Sequence, residues 1–282
     1  MRVIQTLNEM RSYSLKMKAR GKTLGFVPTM GALHEGHLSL IEEARQRADI
    51  VVVSIFINPL QFSPREDLAR YPRDLKRDKK LLKNFDIDVL FLPRAQDLYP
   101  KGFSSYVEVE GLSRIMCGKA RPGHFRGVAT VVAKLFNLVS PHYAFFGEKD
   151  FQQQVLIKRM VRDLDFPVEI IALPTVREFD GLAMSSRNKY LSPPERKAAT
   201  ILYKALSYAK KDIEDGEVNA RKILLALRNL IGTEPLIKLE YAVMVDPKTL
   251  AEVKKIKKRA LIALAARVGK ARLIDNLLIK TK

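Results

Sequence analysis

The 282-residue chain has no tryptophan, a single cysteine and only four histidines. One cysteine, Cys117, excludes an intramolecular disulfide and suits a reducing interior; its ordinary reading is a small packed side chain rather than a nucleophile. No apolar stretch approaches the ~20 residues that a membrane-spanning helix needs, so no membrane partner is expected. The opening residues run into polar sequence without the apolar core of a secretory signal, which makes the cytoplasm the expected setting. Acidic residues are scarce beside basic ones, 31 against 50, for a formal net charge of +19. Such an excess draws anions, either nucleic acid or small phosphates and carboxylates. Its densest run, Lys254 to Arg259, has no interleaved aromatic residues to stack bases, and no zinc-finger spacing occurs. A solvated basic face is therefore preferred, with RNA binding kept as the minority reading.

What is present has the pattern of an α/β protein. Thr6-Leu7-Asn8-Glu9 is a capping box that starts a helix ending before Gly21, and Thr23 to Thr29 follows as a short strand. A helix is expected from Gly36 to Ala48. The run Ile50 to Ile57 is apolar and β-branched throughout, as in a strand buried on both faces. Helix Leu75–Phe85, strand Val89–Leu92, a helical stripe from Val128 to Val139, strand Tyr143–Phe146, helix Phe151–Leu164 and strand Val168–Leu173 continue the alternation. Strands separated by helices imply right-handed crossovers and a doubly wound, parallel, Rossmann-like sheet. After Val176 the pattern changes. Ser192-Pro193-Pro194-Glu195 starts a long alanine-rich helix, and Leu239–Val245, Ala260–Arg267 and Arg272–Ile279 read as strands, with Gly269 turning between the last two. The expected division is a catalytic domain over 1–176 and a smaller α+β domain over 177–282.

The segment richest in chemistry, PTMGALHEGHLSL at 28–40, lies between the first strand of the expected sheet and a helix, where open α/β sheets receive ligands. His34 and His37 share one side of the entering turn, and Gly36 between them lets backbone and ligand approach closely. The helix start adds unbonded amides and a positive dipole end, both suited to phosphate. A His-x-x-His pair can also hold metal, but with four histidines and one cysteine the other ligands are hard to find, so phosphate is preferred.

His34-Glu35-Gly36-His37 resembles the HxGH signature of the nucleotidyltransferase superfamily. Together with FINPLQF at 56–62, YPRD at 71–74, RPGHFRGV at 121–128, GEKDFQQ at 147–153 and MSSRN at 184–188, it resembles the pantothenate synthetase family, in the family's order and across most of the catalytic domain. The resemblance implies ATP-dependent joining of pantoate to β-alanine through a pantoyl adenylate, with Mg²⁺, release of AMP and pyrophosphate, and a homodimer. It places Met30, Gly31, Ala32, Leu33, His34, Glu35, Gly36 and His37 along one wall of the ATP site. Gly147, Glu148, Lys149, Asp150, Val176, Met184, Ser185, Ser186 and Arg187 complete that site, with Lys149 on the phosphates, Asp150 on the ribose and Val176 on adenine through its backbone. His34, His37, Lys149 and Arg187 become the groups that act on the reacting phosphate. MSSRN stands where the wider superfamily has KMSKS, with Arg187 replacing the final lysine and serine.

Asn58, Gln61 and Gln153 are assigned to pantoate and β-alanine by the same resemblance, since neutral amides suit hydroxyls. Asp78 is expected beside magnesium with Tyr71 nearby, and Arg121 and His124 belong to a matching block without assigned contacts. The absence of a convincing Ser/His/Asp or Cys/His arrangement agrees with chemistry that needs no protein nucleophile. The second domain is expected to act as a lid over the adenylate. Another HxGH adenylyltransferase, passing AMP to a phosphate, is the nearest alternative function.

Overall fold

A computed structural model describes residues 1–64 and 66–280. The chain divides into two compact units, one of residues Met1–Glu148 and Leu156–Pro174, the other of Lys149–Val155 and Thr175–Lys282. The first unit holds strands β1 (Arg2–Ile4), β2 (Leu24–Thr29), β3 (Ile50–Ile55), β4 (Val89–Phe91), β5 (Tyr143–Gly147) and β6 (Glu169–Leu173). Its helices are α1 (Leu7–Ala19), α2 (Glu35–Arg47), α3 (Leu75–Leu82), the single turns α4 (Ala95–Leu98) and α5 (Cys117–Ala120), and α6 (His124–Val139). Helix α7 (Phe151–Asp163) begins in residues that group with the second unit.

The six strands are parallel and lie in the order β1-β4-β3-β2-β5-β6. From β2 the chain winds outward through β3 and β4 on one side, then returns to build β5 and β6 on the other. This reversal opens a crevice at the carboxyl ends of β2 and β5, where such sheets bind ligands. Val51, Val52 and Val53 of β3 are fully buried because helices cover both faces, which explains the unbroken apolar run. Burial of each such side chain contributes roughly 1.5–3 kcal/mol. The Rossmann-like expectation is met. The short edge strand β1 is an addition, since three residues of mixed character carry no periodicity.

In the second unit, helices α8 (Pro193–Ala199), α9 (Ile201–Glu214) and α10 (Ala220–Gly232) accompany an antiparallel sheet of β7 (Ile237–Val245), β8 (Arg259–Val268) and β9 (Ala271–Lys280). Ser192 donates from its backbone N–H and hydroxyl to Glu195 Oε2, both at 2.8 Å, the signature read in the sequence. The expected single long helix is two, broken at Thr200. One face of α9 and α10 packs on the sheet through Leu202, Leu206, Leu227, Ile231, Ile262 and Leu264.

Candidate active site

The turn from β2 into α2 is held almost entirely by acceptors for backbone amides. The Thr29 hydroxyl donates to Ser54 O at 2.8 Å and accepts from Gly31 N at 3.2 Å. The chain then passes through two left-handed residues, Gly31 at φ 80° and Ala32 at φ 51°. A Cβ on Gly31 would meet Ile55 Cγ2 at 3.0 Å and Asp78 Oδ2 at 3.1 Å, so glycine answers both the angle and the space. Ala32 has no such excuse, and its unfavourable angle is held by Asp78, whose two oxygens accept from the Ala32 and Leu33 amides at 2.9 Å each. Arg77 donates to the Leu33 carbonyl at 2.9 Å. Asp78, expected beside magnesium, is only 1% exposed and serves as the clasp of this loop.

His34 is the N-cap of α2. Its Nδ1 accepts from Gly36 N at 3.2 Å, while His37 Nδ1 accepts from His34 N at 3.4 Å, so the two imidazoles form a reciprocal capping box. Their ring centroids are 4.1 Å apart. Because both Nδ1 atoms accept from N–H groups, the network assigns each neutral ring its proton on Nε2, a donor suited to an anionic oxygen. Glu35, exposed in the first turn, complements the helix dipole instead of joining the pair.

After β3, Asn58 caps the single turn Pro59–Gln61. This turn lies directly under α6: a Cβ on Gly127 would sit 2.3 Å from Leu60 O and 2.7 Å from Gln61 N. Asn58 and Gln61 are 1% and 8% exposed, and Asn58 Nδ2 donates to Gln61 Oε1 at 3.1 Å and to Gly127 O at 3.0 Å. Arg121 and His124 fasten the same turn. Arg121 donates to Glu66, to His124 Nε2 at 3.0 Å and to Gln61 O at 3.3 Å. Since a guanidinium only donates, His124 Nε2 accepts, and Nδ1–H donates to Gln61 O at 2.8 Å. Burial alone would raise the Glu66 carboxyl, but Arg121 and Ser63 outweigh it and hold the group below its ordinary range. Tyr71 is 5% exposed and meets Phe62 edge to face.

The functional groups expected in the second unit stand on different supports. Met184 N donates to Val176 O at 3.0 Å, closing a hairpin in which Glu178 N donates to Leu182 O at 2.8 Å. Ser185 Oγ accepts from Arg187 N at 3.2 Å and so starts the single turn Ser186–Tyr190 that carries Arg187. Arg177 donates bidentately to the Asp275 carboxylate at 2.7 and 2.9 Å and stacks 4.1 Å from the Tyr203 ring. Asn276 Nδ2 donates to Lys149 O at 2.9 Å, tying the segment that carries Lys149 to β9. Burial pushes the Lys149 ammonium below the ordinary lysine value; Asp150 opposes that, Arg187 adds to it and Asp275 opposes it. Asp150 is exposed, and Gln153 is half-buried near the start of α7. In the first unit, Gly147 and Glu148 are half-buried at the end of β5.

Sequence reasoning missed Glu66, Tyr99, Arg177, Asp275 and Asn276 as supports. A signal existed for two of them, since Asp275-Asn276 interrupts the apolar run Leu273–Ile279, and polar residues there call for partners.

A β2–β5 switch point with a histidine-capped helix at its mouth defines an α/β protein of the HxGH nucleotide-binding class. The chain matches the pantoate-beta-alanine ligase family over residues 2–278. It is 54% identical over 279 residues to the pantothenate synthetase of Thermotoga neapolitana, covering 99% of this chain and 100% of that protein. The crystal structure of pantothenate synthetase from Thermus thermophilus is similar at a TM-score of 0.94 and 49% identity, covering 98% of this chain and 99% of that one. That of the Francisella tularensis ligase, complexed with beta-gamma ATP and beta-alanine, is similar at a TM-score of 0.81 and 37% identity, covering 99% and 97%. The chain belongs to the pantoate–β-alanine ligase family, the ligases of pantothenate synthesis. This membership sets aside the phosphate-accepting adenylyltransferases as the function.

Proposed function

We propose that the chain joins pantoate to β-alanine in two steps at the expense of ATP. The pantoate carboxylate attacks the α-phosphorus, pyrophosphate leaves, and pantoyl adenylate forms. The β-alanine amine then attacks the activated carbonyl and expels AMP. In this reading Nε2–H of His34 and His37, the Lys149 ammonium and the Arg187 guanidinium stabilise negative charge gathering on the phosphates, and positioning supplies much of the remaining acceleration. Gln61 and Gln153 hold pantoate, while Asp150, Val176 and the 30–37 loop hold the nucleotide. Met184, Ser185 and Ser186 bring Arg187 to the phosphates, with Ser185 capping its turn. Asn58 supports Gln61 from behind.

Each Asp78 oxygen accepts one amide, from Ala32 and Leu33, so in this reading Asp78 acts first as the clasp of the loop, and any part it takes in holding magnesium is added to that. Among the described residues no group of three or more His, Cys, Asp or Glu gathers to hold a metal. A divalent cation belongs to this reading as the companion of the ATP phosphates, arriving with the substrate.

The observation that carries the proposal is the reciprocal His34–His37 capping box, which fixes two N–H donors at a helix start. Its test follows AMP release from ATP, Mg²⁺ and pantoate with and without β-alanine. AMP matched by pantothenate only when both acids are present supports the reading; no turnover by folded protein refutes it. His37→Ala is expected to slow adenylate formation by about 10²–10³-fold, as loss of a preorganised donor does elsewhere. Unchanged single-turnover kinetics would remove the role given to His37.

The reading also includes a cytoplasmic homodimer and a lid role for the second unit. Light scattering at the mass of one chain would remove the dimer. Solution scattering unchanged by ATP and pantoate would remove the lid. Among the described residues no helix is long and apolar enough to cross a membrane.

A further inference from the structure

The polarity of the amides around Gln61 is fixed by groups that cannot reverse. Asn58 Oδ1 accepts from Leu60 N–H at 3.3 Å, and a backbone N–H only donates. Asn58 Nδ2 donates to the Gly127 carbonyl at 3.0 Å, and a carbonyl only accepts. The two backbone groups therefore decide which end of the Asn58 amide is oxygen. The second hydrogen on Nδ2 goes to Gln61 at 3.1 Å, so the Gln61 atom there is Oε1. It follows that Gln61 Nε2 points the other way, as a donor, and its partner there is the Met30 sulfur at 3.1 Å, a weak acceptor. A buried amide N–H₂ with only a thioether opposite it calls for a stronger acceptor.

At the far end of this chain of bonds stands Tyr99. Its hydroxyl lies 2.8 Å from Asn58 Oδ1, closer than the Leu60 amide, and must donate because that oxygen has no hydrogen. Burial pushes the Tyr99 phenol above its ordinary value, so the donor keeps its proton throughout the working range. The ring packs against Phe56, with centroids 6.2 Å apart, and edge to face against Phe103 at 5.1 Å. The bonds run in one direction, from Tyr99 O–H to the Asn58 amide to the Gln61 amide and outward.

We propose that Tyr99 is a positioning residue for substrate recognition: through Asn58 it holds Gln61 as a one-way hydrogen-bond donor to an acceptor oxygen of the hydroxy acid substrate. The inference rests on the assignment of Gln61 to pantoate. Tyr99→Phe keeps the ring packing and removes only the hydroxyl. Loss of one hydrogen bond to the relay is expected to raise KM for pantoate about fivefold, with KM for ATP and for β-alanine unchanged.

A structural defect could raise a KM too, so the deciding measurement is a double-mutant cycle with Gln61→Ala. If Tyr99 acts through Gln61, Tyr99→Phe adds nothing to the pantoate KM of the Gln61→Ala enzyme. Should Gln61→Ala fail to fold, Gln61→Glu is the second background. It keeps the shape and takes the outward donor away at neutral pH, and Tyr99→Phe should again add nothing. An unchanged pantoate KM in Tyr99→Phe alone overturns the proposal, and so does an effect of equal size in both backgrounds. The wild-type enzyme distinguishes the deeper failure: if it forms no AMP with pantoate and β-alanine, the functional reading has fallen, not the relay.

Discussion

The loop after β2 and the hairpin at 176–184 hold functional groups by opposite means. The loop is fastened through backbone amides: Asp78 takes two, His34 takes one and His37 takes one. The hairpin is fastened through guanidinium groups, with Arg177 on Asp275 and Arg196 on Glu178 and Asp180. Backbone donors have no rotamers to lose and set positions closely. Long cationic side chains reach further, cost more entropy and, where partly exposed as in the Arg196 pairs, weaken with salt. The loop is built for fixed geometry, and the hairpin for strength that depends on the ionic setting.

Asp275→Ala should produce the largest effect on this contrast. It leaves the Arg177 guanidinium without its bidentate partner, a loss of about 3–5 kcal/mol for breaking a buried pair. Urea unfolding of the variant measures it; a loss below about 1 kcal/mol, the range of an ordinary exposed pair, would mean that the hairpin is held mainly by other contacts. On the loop side, Asp78→Asn keeps one acceptor but turns an N–H₂ toward a backbone N–H, at a cost of about 1–3 kcal/mol. Added salt should change that cost little, because the two short bonds lost are to backbone amides and the Arg77 guanidinium stands off at 3.9 Å; a strong salt dependence would break the comparison.

The smallest expected effect is a displacement along the pH axis. In the proposed reading Lys149 serves as a cation, so activity is full below its pKa and falls as pH rises through it. Burial lowers that pKa, and the alkaline limb of kcat/KM should lie below the ordinary lysine value. Lys149→Arg, whose guanidinium does not lose its proton, should move the limb upward even where it lowers the rate. A limb that stays in place would assign it to another group.

Much of the fold was legible because its signals are local. The capping box at Thr6, the β-branched run of β3 and the Ser192 start each declare themselves within a few residues. The break at Thr200 did not, since Ala198, Ala199, Ile201 and Leu202 continue a helical pattern straight across it. The pairing of His34 and His37 at one helix start could be read from a single turn of sequence, and the spaced motifs pointed to the family. The supports were illegible for a physical reason. Asp78 lies 45 residues from Leu33, and Tyr99 lies 41 from Asn58, so the bonds exist only once the sheet order is known. Asp78 showed the cost of this: its part in clasping the loop is invisible until the amides of Ala32 and Leu33 are brought beside it.

The contact of Gly127 with the turn at 59–61 has a bearing on redesign of the acid that the enzyme accepts. With Leu60 O only 2.3 Å from any added Cβ, a library that diversifies position 127 will be filled with misshapen sites, and its failures will say nothing about selectivity. In the proposed reading, diversity is better spent on Gln153, with 127 kept as glycine. Variation at 127 changes instead whether the turn that carries Gln61 can form beneath α6 at all.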